Sequence, residues 1–524
     1  MSYVVNLPQG RVSGFAKPAP DGPATGAASP QKGSAVHVRG IPYATGGQKY
    51  RFKPAGPAPT WEGVRPGMAF SPGCPQVPGM LEQAMGNTED SFDEDALTLN
   101  VVTPALDDGS RPVMVWIHGG AFTNGSAAIP WYNGTAFAVD HDVVVVTINY
   151  RLGLLGGLHL GLVDGRGEAI NLGIQDQIAA LKWVSENIHL FGGDPGNVTI
   201  FGESAGGMSV STLMTIAGAR EYFGRVIAQS GAAQNCSSIE TATAMAEFGL
   251  DRIGIGPGDI DEMRDWPLER LMDAQTAMDL PMMRQFSTTN GLMHLSFQPV
   301  VDGTIIGRPP LEAIAAGETA EIDLMSGTTR DEWKLFALAD PKVATLDWEG
   351  SRRRMETSVG SDGAELLEAA YRSEDAERSA KDTWIAFETD RVFRMPNIRM
   401  ADAHTGAGGK AFTYWFTYST NAMGGLLGSC HALEIPFVFN IVDKASARLF
   451  TGDAPGQEEL GAQMNAAWAA FARTGSPADG LGVEWPSYEE NSRQFMRFDT
   501  EAVGAITDPQ SGSRKAWASL PEGG

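Results

Sequence analysis

The segment from Asn197 to Leu213 constrains the fold of this chain more than any other. It opens with the strand-like run NVTIF, continues as Gly-Glu-Ser-Ala-Gly at 202–206, and ends in small residues that favour a helix. The pentapeptide alone is weak evidence. Between a strand and a helix, however, it forms the strained turn that exposes a serine hydroxyl above a sheet. The pattern therefore predicts Ser204 as a nucleophile, and a plain Gly/Ser connecting loop is the alternative.

Apolar, β-branched runs alternate with helical patterns on both sides of this turn. Uninterrupted apolar runs suit strands that helices cover on both faces of a sheet. A helix is predicted at about 172–189, where Ile174, Ile178 and Leu181 recur at helical spacing, and a last helix at about 457–474. Strands are predicted at 11–15, 36–38, 112–117, 142–150, 197–201, 225–229, 322–326 and 411–416. This order predicts an α/β fold with a large, mainly parallel central sheet flanked by helices.

The length of 524 residues would by itself suggest several domains. The candidate site residues described below extend from Gly119 to His431, however, and must meet in one place. We therefore expect a single domain, 1–524. The regions near 240–300 and 340–400 have a weaker strand pattern, which predicts helical insertions around the pocket.

Charge and composition exclude several classes of protein. The net charge is −24, and no basic stripe is present to displace counterions from phosphates, so nucleic acid is not an expected partner. No run approaches the ~18 apolar residues of a membrane span. Three cysteines are too few for a disulfide framework, and no metal-binding motif occurs. A cytoplasmic location is the default expectation, and no pattern predicts an oligomeric state.

A second glycine-rich segment, His-Gly-Gly-Ala-Phe at 118–122, directly follows the predicted strand 112–117. Hydrolysis of an acyl group needs N–H donors that converge on one oxygen, and small residues let the backbone approach it. We assign these donors to the N–H groups of Gly120, Ala121 and Ala205. A flexible glycine turn is the alternative.

The chain order of a hydrolase with this serine turn is nucleophile, acid and then histidine. His294, His404 and His431 follow the serine. His404 is expected on a helix surface and His294 before a strand. His431 lies in a Gly/Ser/Cys loop at a sheet edge and is the favoured base, with a core or surface histidine as the alternative. Asp331 and Glu332 follow a predicted strand, and the residue pattern does not choose between them as the acid.

Several longer motifs resemble the type-B carboxylesterases, the family that also contains cholinesterases and bacterial para-nitrobenzyl esterases. They extend over nearly the whole chain and comprise GRVSG at 10–14, RGIPYA at 39–44, EDALTLNVVTP at 94–104, NYRLG at 149–153, FGGDPGNVTIFGESAGG at 191–207, TTRDE at 328–332 and HALEIPFVF at 431–439. The resemblance implies an α/β-hydrolase fold, with Glu332 as the acid and His431 as the base. It also implies supporting roles for Ser230, Glu203 and Gly119.

The chain departs from this family at three places. Ala96 stands where many secreted relatives have a cysteine that pairs with the equivalent of Cys74, so that disulfide cannot form, which supports a reducing compartment. Residues 74–96 contain no tryptophan, whereas cholinesterases have a choline-binding tryptophan in the corresponding loop. Trp333 replaces the glycine that usually follows the acid. Choline-ester specificity is therefore not expected.

Together these residues predict a serine carboxylesterase that hydrolyses small neutral carboxylic esters through an acyl-enzyme on Ser204, without metal or organic cofactor. A carbamate or aryl-amide hydrolase with the same triad is an alternative. A further alternative is a catalytically silent, adhesion-type homologue. This alternative is disfavoured because Ser204, Glu332 and His431 are all present. The ordinary imidazole value predicts that activity rises through a pKa of roughly 6–7.

Overall fold

The structure is a computed structural model, and it describes residues 3–18, 33–79, 91–286 and 294–520. Thirteen strands lie in these residues and are numbered β1 to β13 in chain order. They are Tyr3–Leu7, Gly10–Pro18, Ser34–Pro42, Val64–Pro66, Thr98–Thr103, Arg111–Ile117, Val144–Ile148, Gly193–Glu203, Arg225–Gln229, Asp323–Thr329, Ala411–Phe416, Gln494–Phe498 and Gly504–Thr507.

The strands form one sheet in the order β1-β2-β3-β5-β7-β6-β8-β9-β10-β11-β12-β13, and β4 pairs with β2 outside this path. The central strands, from β7 through β6 to β12, are parallel to their neighbours. The pairs β1–β2, β2–β3, β3–β5, β5–β7 and β12–β13 are antiparallel. The carboxyl ends of the parallel strands consequently meet at one edge of the sheet, where ligands bind in such folds.

Seventeen α-helices lie in the described residues, numbered α1 to α17 in chain order. They are Thr135–His141, Gly153–Gly157, Leu160–Val163, Leu172–Asn187, Ala205–Leu213, Ala217–Arg220, Ile239–Arg252, Leu268–Phe286, Pro310–Ala315, Trp333–Ala337, Trp348–Glu374, Ala380–Thr389, Met395–Gly406, Ile435–Val438, Ala445–Thr451, Gln457–Thr474 and Ser511–Ala518. A π-helical turn, Asp390–Arg394, joins α12 to α13. Helices α7, α8 and α11 to α13 occupy much of the two regions predicted as helical insertions.

The central strands are uniformly apolar because both faces of the sheet are covered. In β6, Val113, Val115 and Ile117 pack into one hydrophobic core, whereas Met114 and Trp116 pack into a second core on the other face. All seven residues of this strand are buried. Successive side chains of β6 therefore point to opposite faces of the sheet. The sequence does not show this alternation, because both faces are apolar.

Most of the predicted elements are present in the structure. Two strands and the helix predicted at 457–474 have the predicted bounds, and that helix ends at Gly475 in a left-handed conformation, φ 74°. It is not the last helix, because α17 follows it. Strand β5 was not predicted because threonine and asparagine interrupt its apolar pattern. The expected surface position of His404 is wrong. Its side chain is buried, and its ring nitrogens lie 3.0 Å from the Ile322 carbonyl oxygen and 3.2 Å from the Thr319 hydroxyl.

Candidate active site

Ser204 occupies a strained turn between β8 and α5. Its backbone has φ 57° and ψ −125°, a combination that is costly for a residue with a side chain. The turn is held because the Ser204 N–H donates to the Gln229 carbonyl oxygen of β9 (2.9 Å) and the Ser204 carbonyl accepts from the Met208 N–H (2.8 Å). Ser204 is partly exposed, whereas the residues on either side are buried. The strained turn therefore leaves Ser204 accessible between two buried neighbours.

Two glycines allow the backbone to pass close to the serine. A Cβ on Gly119 would lie 2.7 Å from the Glu203 carbonyl oxygen and 3.1 Å from Ser204 Cβ. A Cβ on Gly206 would lie 2.0 Å from the Ile117 carbonyl oxygen at the end of β6. Any larger residue at either position would separate the 118–122 segment from the serine turn.

The 118–122 segment folds into a tight loop beside the serine. Ala121 and Phe122 have positive φ angles of 54° and 61°, and Gly120 has φ 108°. Under the loop, the His118 ring stacks on Tyr150 at 4.5 Å, and the Tyr150 hydroxyl donates to the His118 carbonyl oxygen (2.7 Å). Burial lowers the pKa of His118 to about 4, so this imidazole is neutral. A rigid, uncharged support fixes the backbone N–H groups of the loop.

Glu332 lies directly beyond β10 and is completely buried. Its Oε2 atom lies 2.6 Å from Nδ1 of His431. Its Oε1 atom accepts hydrogen bonds from the Ser230 hydroxyl (2.6 Å) and from the Thr329 N–H (2.8 Å). The backbone N–H of His431 also donates to the backbone carbonyl oxygen of Glu332 at 3.3 Å. The carboxylate is thus fixed from both sides and orients the imidazole.

The neighbouring acid, Asp331, has a different set of partners. Its carboxylate accepts from the Ser429 N–H (2.9 Å) and pairs with Arg330 (3.0 Å) and Lys334 (3.5 Å). Burial opposes ionisation of Asp331, but the two cations and these hydrogen bonds outweigh it and lower the pKa of the carboxyl group. Asp331 therefore joins the acid loop to the loop that carries His431, and of these two adjacent acids it is Glu332 that contacts the imidazole.

The other ring nitrogen of His431, Nε2, lies 3.0 Å from Oε1 of Glu203. This Oε1 atom has no hydrogen-bond partner of good geometry, so the contact is mainly electrostatic. Burial alone lowers the pKa of His431, but the carboxylates of Glu203 and Glu332 outweigh it and raise the pKa well above 6.5. Burial also raises the pKa of Glu203. The imidazole is thus held between two carboxylates out of water.

Aromatic side chains cover the imidazole. Ring centroids of Phe336 and Phe393 lie 5.0 and 4.7 Å from that of His431, and the two phenyl rings stack at 6.0 Å. The ring of Trp333 packs on that of Phe336, with centroids 4.9 Å apart, and the backbone N–H of Trp333 donates to the Thr389 hydroxyl at 3.1 Å. Trp333 therefore belongs to the apolar wall beside His431.

Glu434 lies three residues after His431 and was not among the site residues predicted from the sequence. Its side chain is fully buried, and burial together with the nearby Glu203 and Glu332 raises its pKa to about 8. Oε1 accepts from the Gln229 amide at 3.3 Å, whereas Oε2 has no hydrogen-bond partner among the described residues. The signal was present as the one acidic residue in the apolar run HALEIPFVF.

Two further predictions concern the chain outside this site. None of the three cysteines, all of which lie in the described residues, forms a disulfide; Cys74 and Cys430 are buried. None of the helices in the described ranges combines the length and the apolar composition that crossing a bilayer requires.

The sequence and the fold match those of known esterases. The sequence profile of the carboxylesterase family matches residues 2–517. The para-nitrobenzyl esterase of Bacillus subtilis (strain 168) is 36% identical over 91% of this chain and 94% of its own length. The phenmedipham hydrolase of Pseudarthrobacter oxydans is 34% identical over 90% and 92%. A crystal structure of a Geobacillus stearothermophilus carboxylesterase superposes with a TM-score of 0.82 at 38% identity, covering 98% of this chain and 100% of that one.

The match extends over both the sequence and the fold, so the family and the α/β-hydrolase fold expected from the motifs are confirmed. The chain belongs to the carboxylesterase family and is a serine esterase that hydrolyses carboxylic esters.

Proposed function

We propose that Ser204, His431 and Glu332 form the catalytic triad and that the substrates are small neutral carboxylic esters. The observation that carries this proposal is the buried contact between His431 and Glu332, 2.6 Å long, beside a serine in a strained turn. An acid that holds one imidazole nitrogen leaves the other nitrogen to act on a hydroxyl.

The reaction has two halves. The Ser204 oxygen attacks the ester carbonyl while Nε2 of His431 takes the hydroxyl proton, and this proton then passes to the departing alcohol. Water attacks the resulting acyl-enzyme in the same way and releases the acid. The negative charge on the carbonyl oxygen in each tetrahedral intermediate is bound by the N–H groups of Gly120, Ala121 and Ala205.

Three residues support the triad. Ser230 donates to Glu332 and fixes the acid. Glu203 lies against Nε2 of His431 and stabilises the imidazolium that forms during attack. The missing side chain of Gly119 lets the oxyanion loop approach the serine. These groups position the reacting atoms and do not form bonds to the substrate.

The decisive experiment compares Ser204→Ala with the exposed control Ser361→Ala. Loss of the nucleophile is expected to lower kcat for a para-nitrophenyl ester by about 10³-fold or more, whereas the control keeps its activity. An organophosphate is expected to label Ser204 and no other serine in a peptide map. A folded Ser204→Ala protein with near-normal turnover would overturn the assignment.

The same triad can cleave a carbamate or an aryl amide, so the scissile bond is tested directly. A screen of para-nitrophenyl esters of increasing acyl length, with carbamate and amide analogues, should show the highest kcat/KM for short neutral esters. Phenmedipham belongs in this screen because one relative is named for its hydrolysis. Faster cleavage of the carbamate or amide series would replace the ester proposal.

We further propose that the chain acts as a single domain in the cytoplasm. The single domain is supported by the sheet, because all strands from β1 to β13 belong to it. The location is supported by the three cysteines, all in the described residues and none in a disulfide, since thiols persist in a reducing compartment.

A further inference from the structure

A second cavity lies on the antiparallel side of the sheet. Its volume is about 340 Å³, within the range of small-molecule sites, roughly 300–1,000 Å³. Residues of β2, β3, β5 and β7 line it, together with the loop at 127–133 and residues 441–446. None of its lining residues belongs to the triad or to the oxyanion loop described above.

The strand register brings basic side chains together on this face. Phe15 of β2 lies opposite His37 of β3 in the antiparallel ladder. Because side chains alternate between the two faces of a strand, Lys17 shares the face of Phe15, and Arg39 shares the face of His37. All four residues therefore point to the side of the sheet on which the cavity lies.

The charged side chains that line this cavity are basic. Lys17, Arg39 and Lys444 line it, and no aspartate or glutamate does so among the described residues. Lys444 pairs with the adjacent Asp443. Within the described ranges, neither Lys17 nor Arg39 has a carboxylate within ion-pair distance, although the protein has a net charge of −24.

Arg39 is held without using most of its hydrogen-bonding capacity. Its guanidinium lies over the rings of Phe70 and Phe15, 4.0 and 4.9 Å from their centroids. It donates one long hydrogen bond, from Nη1 to the Met68 carbonyl oxygen at 3.4 Å. The two aromatic rings fix the orientation of the planar group, which can then meet a carboxylate with its remaining N–H groups.

The cations also act on each other. Burial lowers the pKa of Lys17, and the charges of Arg39 and Lys444 lower it further. Burial and the same cluster lower the pKa of His37 to about 3, so this imidazole stays neutral. An anion in the cavity would remove this repulsion.

The remaining walls are mostly apolar, with Val101, Val102, Ile129 and Ile441 among them. The polar side chains of Asn100 and Thr147 bond to each other at 3.0 Å, so they do not require a polar ligand. A ligand that suits the cavity has an apolar body and one small anionic group.

We propose that this cavity binds small carboxylates with an apolar body and holds the carboxylate at Lys17 and Arg39. Ester hydrolysis releases acids of this class, so the reaction of the enzyme itself supplies such ligands. The binding does not depend on the role proposed for Ser204.

Isothermal titration of the Ser204→Ala protein with hexanoate tests the proposal without turnover. We expect a binding step with a dissociation constant of about 1 mM or below, and no such step with the neutral hexanamide. Lys17→Gln should weaken this step about tenfold or more, because no acidic side chain of the described residues lines the cavity beside Lys17. Lys444→Gln should have a smaller effect because Asp443 already pairs with Lys444. The control Lys53→Gln removes an exposed lysine outside the cavity and should leave binding unchanged.

Equal hexanoate affinity in the Lys17→Gln protein and its parent would place binding elsewhere and overturn the proposal. Equal affinity for hexanamide would exclude a role for the carboxylate. If inorganic phosphate binds as tightly as hexanoate and displaces it, the cavity is a general anion site. The proposed preference for a ligand with an apolar body is then wrong. Activity of the Ser204→Ala protein is measured separately, so failure of the triad assignment is distinguished from failure of this one.

Discussion

Glu332 and His431 are 99 residues apart in the chain, yet Oε2 of the acid lies 2.6 Å from Nδ1 of the imidazole. The contact arises because β10 and the loop after β11 end at the same edge of the parallel sheet. The adjacent Asp331 joins the same two loops through the Ser429 N–H at 2.9 Å and has no contact with the ring. Two neighbouring acids therefore have separate partners: Glu332 contacts the imidazole, and Asp331 joins the two loops.

This division predicts different effects for two isosteric substitutions. Glu332→Gln removes the charge that orients and stabilises the imidazolium, and kcat is expected to fall by about 10³-fold or more. Asp331→Asn is the matched control and should lower kcat far less, with its main effect on thermal stability. Steady-state kinetics and a melting curve of each protein decide the point; a reversed order of the kcat losses would contradict the assignment.

The environment of His431 predicts an alkaline shift in the pH profile. Activity requires the neutral imidazole, and Glu203 and Glu332 raise the pKa of His431 well above 6.5. The rise of kcat/KM with pH should therefore be centred above the roughly 6–7 expected from an ordinary imidazole. Glu203→Gln should move this midpoint to lower pH, because it removes a negative charge 3.0 Å from Nε2.

Glu434→Gln is the control for this shift. The pKa of Glu434 is raised to about 8, so its carboxyl group is neutral below that pH and its replacement changes little charge there. A larger shift of the midpoint in Glu434→Gln than in Glu203→Gln would mean that the proton distribution described here is wrong.

Ser230 is expected to act as a positioning residue. Ser230→Ala removes the hydroxyl that donates to Oε1 of Glu332 at 2.6 Å. A hydrogen bond to a charged group contributes about 1.5–3 kcal/mol, so kcat should fall by about tenfold or more while KM changes little. Ser326→Ala is the control, since its buried hydroxyl has no hydrogen-bond partner. If both substitutions lower kcat equally, the effect is a general consequence of changing the core.

A buried ion pair should contribute strongly to the stability of the region around α4. Asp176 of α4 binds Arg151 through two side-chain hydrogen bonds of 2.7 Å, and both residues are buried. Asp176→Ala leaves the guanidinium unpaired and should cost about 3–5 kcal/mol. Lys182→Ala breaks an exposed pair with Glu186 on the same helix and should cost about 0.5 kcal/mol or less. Denaturant unfolding of both proteins measures the difference, and similar losses would contradict it.

Neutral esters should be better substrates than choline esters. Residues 74–96 contain no tryptophan, which removes the cation–π contact of ~2 kcal/mol expected for a quaternary ammonium group. The net charge of −24 attracts cations only within the screening length of ~8 Å and gives no shape selectivity. Butyrylcholine and a neutral butyrate ester of similar leaving-group reactivity are compared by kcat/KM; a clear preference for butyrylcholine would refute this prediction.

Features of the active site that depend on neighbouring residues could be predicted from the sequence. The serine turn requires a strand, two glycines and a helix within 17 residues, so NVTIFGESAGGMSVSTL identifies Ser204 without any distant contact. Helix α16 and its end at Gly475 follow from apolar spacing and a left-handed cap, which are also local. The family motifs imply that Glu332 is the acid, a choice that the residue pattern at 331–332 left open.

Features that depend on which strands are neighbours were decided only by the tertiary structure. Nothing near Glu434 in the chain reveals that Glu203 and Glu332 surround it, and burial near these charges is what raises its pKa to about 8. Lys17 and Arg39 look like ordinary surface residues in the sequence, and only the register of β2 against β3 places them at one cavity. Local patterns fix backbone conformation, whereas charge and pKa depend on distances in space between residues that are far apart in the chain.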